Sequence, residues 1–404
     1  MNLKYDSILG RVRENDAQPE KWGIHTDNTG STTLDRSGNS FYEFTKLWLP
    51  GVALVLLNDS LEETAILATP ANPTISGSAV LDGTAGQVMV RIPKIYYREV
   101  FDVNGVLTDV EVSAQPRIGF RLHEKFSYGN GRNEIYIGAY EASLATGDKL
   151  ASVSGVATLT SVTLANFRTY AGNRGAGWHG FDFYTMHLIQ LLFYVYYANF
   201  DSQTALPGYT EHTWDYSYKR NTGRSNVLTT INGSVNSTAG GVDADLEGGW
   251  FGSSRVIANR FLFIENIFGH IWKMLDGYTF DGRVIGANSV FATPNPALFS
   301  SDPTTILANY ANLNVALPAA SNENYMQNLQ GLFLPKTHGG SSSTYITDYF
   351  WSYLDNAEYN YFRLVLSGGS LAYGAQAGLA SRYAHLVLGL AYSDIGSRLC
   401  AEKI

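Results

Sequence analysis

Residues 368–400 read GGSLAYGAQAGLASRYAHLVLGLAYSDIGSRLC, and whether this segment is helical or folds as strands and turns decides the fold. Leu379, Leu386 and Leu390 fall partly in helical register, so propensity alone favours a short amphipathic helix over 374–392. Gly374, Gly378 and Gly389 work against it, because glycine weakens a helix interior and permits irregular turns. Propensity therefore leaves the segment open. Its Tyr, His, Gln and Asp residues lie among small residues, with no charge cluster and no familiar catalytic pattern.

Upstream, the sequence predicts two helices. Asp182 is a plausible cap for FYTMHLIQLLFYVYYANF (183–200), which is apolar on most faces and so reads as a central core helix. ANRFLFIENIFGHIWKMLDG (258–277) carries Glu265, Asn266 and His270 among aromatics and ends at Gly277, predicting a second helix. The β-branched and aromatic runs 87–100, interrupted near Pro93, 106–113 and 133–143 predict antiparallel ribbons bounded by turns such as YGNGRN (128–133). Residues 1–86 alternate short apolar pieces with turn stretches such as DNTGS (27–31) and LDGTAG (81–86), predicting a small, mainly β attachment or assembly module. A second domain is expected from 87 to 404. Polar, glycine-rich or irregular stretches at about 201–250 and 278–345 read as long inserts on it.

A chain of 404 residues, 45% hydrophobic, can bury a sizeable core. Its 28 basic and 36 acidic residues give a net charge of -8, a field unsuited to nucleic-acid phosphates or an anionic membrane. Neither nucleic acid nor membrane insertion is expected. The 26 tyrosines supply rigid amphipathic contact area. Cys400 is the sole cysteine, which excludes an internal disulfide and a multi-thiol metal site. The start, MNLKYDSILGRVREND, lacks the apolar run of a secretory signal, and no segment reaches the ~20 apolar residues that span a bilayer.

Motifs for chemistry are absent: no phosphate loop, no GxSxG elbow, no HExxH. The histidines at 25, 123, 179, 187, 212, 270, 338 and 385 are scattered, and structural roles are expected for His179 and His187. DADLEGG (243–249) offers Asp243, Asp245 and Glu247 as oxygen ligands for calcium, but it lacks the glycine and terminal glutamate of the helical calcium loop. A solvated acidic turn is the simpler reading, and no metal or cofactor is expected. Glu134, Glu141, Glu265 and Asp276 are available for a carboxylate pair, with nothing in the sequence to set two of them at the separation glycoside hydrolysis needs.

FRLVLSGGS, GAQAGL and SDIGSRLC, separated by residues of mixed chemistry, resemble the C-terminal end of variable proteins from diversity-generating retroelements. In that family an error-prone reverse transcriptase rewrites adenine-containing codons near the 3′ end of the gene, and the altered residues are displayed on a C-type lectin fold. VRIPKIYYREV (90–100), IYIGAYEAS (135–143), SVSG (152–155), 167–203 and 259–277 look like the scaffold of phage or prophage tail proteins and gut bacterial ligand-binding proteins with this domain. YDSILGRVREND (5–16) looks like the start of phage tail proteins. The resemblance implies an α+β, C-type lectin-like fold, and irregular strands and turns for 374–392 in place of the helix.

Mapped onto this chain, the resemblance implies a framework of Gly368, Gly369, Ser370, Gly374, Gly378, Ile395, Gly396 and Arg398, with Ala375, Ala377, Leu379, Ser397 and Leu399. It implies exchangeable, ligand-contacting positions at Ala372, Tyr373, Gln376, Tyr383, His385, Leu386, Leu390, Tyr392 and Asp394 within a variable region of about 368–400. Leu371 stands where many relatives have Trp, and no recognition role is assigned to it. Formylglycine-generating enzymes share the fold family and resemble ENIFGHIWKMLDG, but their chemistry needs a pair of cysteines that this chain lacks.

The expectation is a protein that is not an enzyme and recognises a protein or glycan ligand on a cell surface. It would be displayed on a virion tail, a prophage-encoded particle or a bacterial surface. The N-terminal module would join it to other tail or surface components, and a homotrimer would multiply weak contacts by avidity. Exchangeable residues are expected to be exposed on a rigid base, because a wrong core side chain costs ~2–5 kcal/mol. A fixed structural tail or adhesion component, a calcium-dependent sugar lectin and a carbohydrate-active enzyme remain as alternatives.

Overall fold

The Asp182 carboxylate accepts the Thr185 N–H at 3.0 Å and so caps the helix Phe183–Tyr197, as expected from the sequence. Every side chain from Phe183 to Val195 is buried, which makes this helix the central strut. It stops where Ala198 takes a left-handed conformation, φ 50°, and donates its N–H to Tyr194 O. The computed structural model describes residues 21–26, 31–38, 45–128, 131–211, 219–237, 255–283, 290–315, 317–318, 323–353 and 360–403.

Three larger sheets surround the helix in an α+β arrangement. A terminal sheet of six strands runs in the order Trp178–Gly180, Arg398–Ala401, Glu134–Glu141, Gln87–Pro93, Ala53–Leu57 and Glu63–Ala68, all neighbours antiparallel. The chain thus returns its C-terminal strand to the middle of a sheet begun near its start. A five-stranded sheet contains Arg36–Gly38, Lys21–His25, Leu107–Ser113, Tyr96–Phe101 and Arg121–Leu122. A ten-stranded sheet is built around Phe362–Ser367, whose six residues are all buried; it pairs with Tyr278–Asp281, Trp272–Met274 and Arg382–Val387. The long helix and the inward faces of these sheets share one apolar core, to which each buried Leu, Ile or Phe contributes roughly 1.5–3 kcal/mol.

Several expectations need correction. The segment 258–277 is not a helix: it supplies the strands Val256–Phe261, Ile264–Glu265 and Trp272–Met274. Leu262, Phe263, Asn266, Gly269 and His270 all have positive φ, between 48° and 72°, which no right-handed helix accommodates. The Asn259 side chain accepts Ile267 N–H at 3.1 Å and fixes the turn. An apolar run buried on every side reads the same as strand or helix.

The boundary expected after residue 86 falls inside the terminal sheet, where Ala53–Leu57 pairs residue for residue with Gln87–Arg91. The described part of 1–86 is therefore integral to the same core and not a separate module. Likewise, part of the insert expected at 278–345 supplies strands of the ten-stranded sheet, among them Tyr278–Asp281, Val290–Ala292 and Glu323–Gln330. The two strands either side of Pro93 enter different sheets; Tyr96–Phe101 instead forms an antiparallel ribbon with Leu107–Ser113. Residues 374–392 hold a short 3-10 turn, Gly374–Gln376, and the strand Arg382–Val387.

Candidate functional site

The turn after Phe362–Ser367 requires its glycines. Gly368 and Gly369 have φ of 94° and 73°, and a Cβ on Gly369 would approach Ala377 Cα to 2.8 Å. At Gly378 a Cβ would overlap the buried Asp348 carboxylate. That carboxylate accepts the Ala380 N–H at 2.5 Å, yet burial pushes it up to about 7. The loop is fastened to its surroundings by hydrogen bonds: Gln203 Nε2 donates to Gly374 O at 2.8 Å and Ala377 O at 2.7 Å, and Gln190 Nε2, from the long helix, donates to Leu379 O at 3.0 Å. Ser202 Oγ accepts Leu379 N–H at 2.9 Å. Leu371 is fully buried and donates its N–H to His270 O at 3.0 Å.

Beneath the loop lies a buried ionic group. Lys273 Nζ stands 2.9 Å from Glu141 Oε1, and His270 Nδ1 donates to Glu141 Oε2. His270 Nε2 accepts the Arg220 backbone N–H at 2.8 Å, so the ring bridges Arg220 and Glu141 with a proton on Nδ1. Burial opposes charge on Glu141, but His270 and Lys273 outweigh it and hold the carboxyl at about 2. Burial brings the Lys273 ammonium down to about 8, against the pull of Glu141. Arg398, fully buried, donates to Gly138 O at 2.9 Å and Glu265 O at 2.5 Å, tying the last strand to this group.

On this base, the framework and exchangeable sets take different environments. Gly368, Gly369, Ser370, Gly378, Ile395, Gly396 and Arg398 are buried, and Gly374 is half-buried. Tyr373, Tyr383, Leu386, Tyr392 and Asp394 come together with Trp272, Leu366 and Ile395 around a surface cavity of about 130 Å³. Trp272 is its buried floor, with ring centroids 5.0 Å from Tyr373 and 5.8 Å from Tyr383. Trp351 packs behind at 5.3 Å and 5.7 Å from the same tyrosines.

Ala372 and Gln376 are half-buried and are not among the residues lining this cavity; Leu390 is half-buried against the apolar cluster that contains Trp272. The expectation of exposure holds for Tyr392, at 54%, but not for His385, at 8%. His385 is clasped between Tyr383 and Tyr353, with centroids 4.2 Å and 4.4 Å away, and burial lowers its imidazole to about 4. Sequence reasoning missed Trp272 and Trp351 as parts of this site and Glu141, His270 and Lys273 as its support. The available signal was three polar residues, Glu265, Asn266 and His270, inside a run otherwise too apolar to leave them unpartnered.

Among the described residues, His123, Glu124 and His187 bring potential metal-ligating atoms within 4.8 Å of one another. His123 Nδ1 accepts Lys125 N–H at 3.3 Å, so its proton lies on Nε2 and is donated to His187 Nδ1 at 3.0 Å. Glu124 accepts the Tyr97 hydroxyl at 2.9 Å. A cation would have to displace these bonds and reverse the tautomer of His123. Burial pushes both imidazoles far down, His187 to about 3, so both are neutral.

The other carboxylates weighed for acid–base work have structural partners. Asp276 is clamped by Arg168 at 2.6 and 2.7 Å, Glu265 accepts Gly223 and Ser225 N–H at 2.8 and 2.6 Å, and Glu134 accepts the Tyr136 hydroxyl at 2.8 Å. Asp243, Asp245 and Glu247 lie outside the described residues. Comparison with protein-family models and with curated proteins finds no match for this chain.

Proposed function

We propose that this chain is a ligand-recognition protein without catalytic activity, whose residues 372–394 form a diversified binding face on a C-type lectin-like scaffold. The observation that supports it best is the sorting of the two residue sets. Tyr373, Tyr383, Leu386, Tyr392 and Asp394 wall one surface cavity, while Gly368, Gly369 and Ser370 before them, Gly378 among them, and Ile395, Gly396 and Arg398 after them are buried in the base. A contacting stretch anchored in this way at both ends and in its middle lets wall residues change with little change in the packing beneath.

The segment also begins and ends in strands fixed within sheets, Phe362–Ser367 and Arg398–Ala401. Display on a phage tail, a prophage-encoded particle or a bacterial surface, as a trimer gaining avidity, completes the proposal. It is tested by deep sequencing the 3′ coding region across a population, together with flanking DNA. Substitutions clustered at codons 372, 373, 376, 383, 385, 386, 390, 392 and 394, with an unchanging near-copy and a reverse transcriptase gene nearby, are expected. A uniform tail without a template would overturn diversification and leave a fixed tail or adhesion component.

A further inference from the structure

We infer that the cavity floored by Trp272 binds a small organic cation of the methylated or quaternary ammonium class. The inference rests on the recognition reading above and names the ligand chemistry of that face. Among the described residues, four of those lining the cavity are aromatic, Trp272, Tyr373, Tyr383 and Tyr392, Asp394 is the charged one, and none is basic. Aromatic ring faces carry negative quadrupole density, so rings beside a carboxylate attract a cation and disfavour an anion. Glu323 adds to the negative field felt at Tyr373. Lys219 lies near Asp394, with its ammonium held by Ser393 O at 2.6 Å and Thr160 Oγ1 at 2.9 Å, and is not a lining residue.

The cavity, about 130 Å³, opens to solvent, so a trimethylammonium head can enter it with its substituent left outside. Donor count narrows the class. A primary ammonium brings three N–H groups that need acceptors, and one carboxylate with phenolic oxygens leaves it short; a quaternary ammonium brings none and loses hydration more cheaply. The site is also prepared in advance. Trp272 donates its backbone N–H to the Asp394 backbone carbonyl at 2.8 Å, pairs with Ile395 in the sheet, and is buried against Trp351, so little ordering remains when a ligand enters.

The test is a titration of the full chain with tetramethylammonium and choline, followed by tryptophan fluorescence and calorimetry, against the neutral isostere 3,3-dimethylbutan-1-ol. Saturable binding of the cations at least about tenfold tighter than the alcohol is expected. Asp394→Asn and Tyr392→Ala should each weaken choline several-fold; Tyr392 is exposed, so its loss leaves the core intact. Phosphocholine and trimethyl-lysine amide in the same assay separate a surface headgroup from a modified side chain as the source of the cation. Equal or tighter binding of the alcohol, or cation binding unaffected by both substitutions, would overturn the inference. The codon survey judges the recognition reading independently: variation at 373, 383, 392 and 394 without cation binding sinks only this inference, and cation binding on an invariant tail sinks only diversification.

Discussion

Replacing Glu141 by Leu should be among the most damaging single changes near the proposed recognition face, although the residue itself lies beneath that face. Glu141 is 1% exposed and neutralises Lys273, 2.9 Å away and itself 1% exposed, while accepting the Nδ1 proton of His270. Without it, Lys273 keeps the Gly269 carbonyl at 2.6 Å but loses its counter-charge, and the buried His270 donor loses its acceptor. Breaking a buried pair from one side costs about 3–5 kcal/mol, roughly a fifth or more of the ~5–15 kcal/mol that holds a typical domain folded. Leu371 donates to His270 O, so the damage should spread into the turn that carries Tyr373.

Urea unfolding of wild type, Glu141→Leu, Lys273→Met and the double variant measures this directly. The double variant removes both charges and should recover much of the loss, with a coupling of about 2 kcal/mol or more. Acid titration gives a second reading. The Glu141 carboxyl is held at about 2 in the fold, so its contribution is present above its unfolded value of about 4.3 and disappears as pH falls through about 2. Glu141→Leu should lack that acid-dependent component. A single-variant loss below about 1 kcal/mol, or costs that simply add in the double variant, would refute the claim that this pair supports the face.

Glu99→Gln should become more favourable as pH rises. Burial lifts Glu99 to about 7, against Arg121 at 2.8 Å and the Leu332 N–H, so the fold favours its protonated form; that advantage is complete below about 4.3 and lost as pH rises through 7, whereas glutamine keeps it. Relative to wild type, the variant should gain on the order of 2–3 kcal/mol between pH 5 and pH 8 by denaturant melts, and a flat difference would contradict the assignment. Gly378→Ala should destabilise by at least about 2 kcal/mol, because its methyl group meets the Asp348 carboxylate; a thermal midpoint equal to wild type would show that the loop can yield. Chelation with EDTA should leave the thermal midpoint unchanged, and a fall of several degrees would mean that His123, Glu124 and His187 hold an ion and that His123 has the opposite tautomer. In a display library selected for folded protein, accepted residues should be broadest at Tyr392, narrower at Tyr373 and Tyr383, and narrowest at His385, following exposure; equal breadth would separate tolerance from packing.

The capped helix was legible because its cap and its apolar faces are local signals carried by Asp182 and the residues that follow. The strands at 87–101 and 107–113 were legible for the same reason, though not their partners, since pairing is a long-range property. The segment 258–277 misled because full burial erases the difference between helical and strand periodicity, and Leu262, Phe263 and His270 give no sign of taking positive φ. A module boundary at 86 seemed reasonable from the turn-rich LDGTAG, which instead connects strands of one sheet. The cavity was partly legible: the resemblance gave five of its walls, Tyr373, Tyr383, Leu386, Tyr392 and Asp394. Its floor, Trp272, is far away in sequence, and long-range pairing of its strand brings the two parts together, parallel with Ile395 and antiparallel with Leu366 and Ser367.

That pairing joins the packed part of this segment to the face proposed for recognition. Trp272, Leu366 and Ile395 form the buried part of the cavity, each fixed in a strand of the ten-stranded sheet, and none is among the positions proposed to vary. A change at Asp394 or Tyr392 alters the charge or reach of a wall while the floor stays in place. A change at Tyr383 is different, because that ring also touches Trp272, Trp351 and His385. Losing an aromatic pair costs roughly 0.5–1.5 kcal/mol beyond lost burial, enough to bias selection but less than the ~5–15 kcal/mol reserve of a typical domain. The ionic group under His270 lies behind the floor and touches none of the exchangeable side chains in its ion pairs. The cost of varying the proposed face therefore falls on ring contacts and on the burial of His385, Leu386 and Leu390, while the ion pairs of the base are not touched by it.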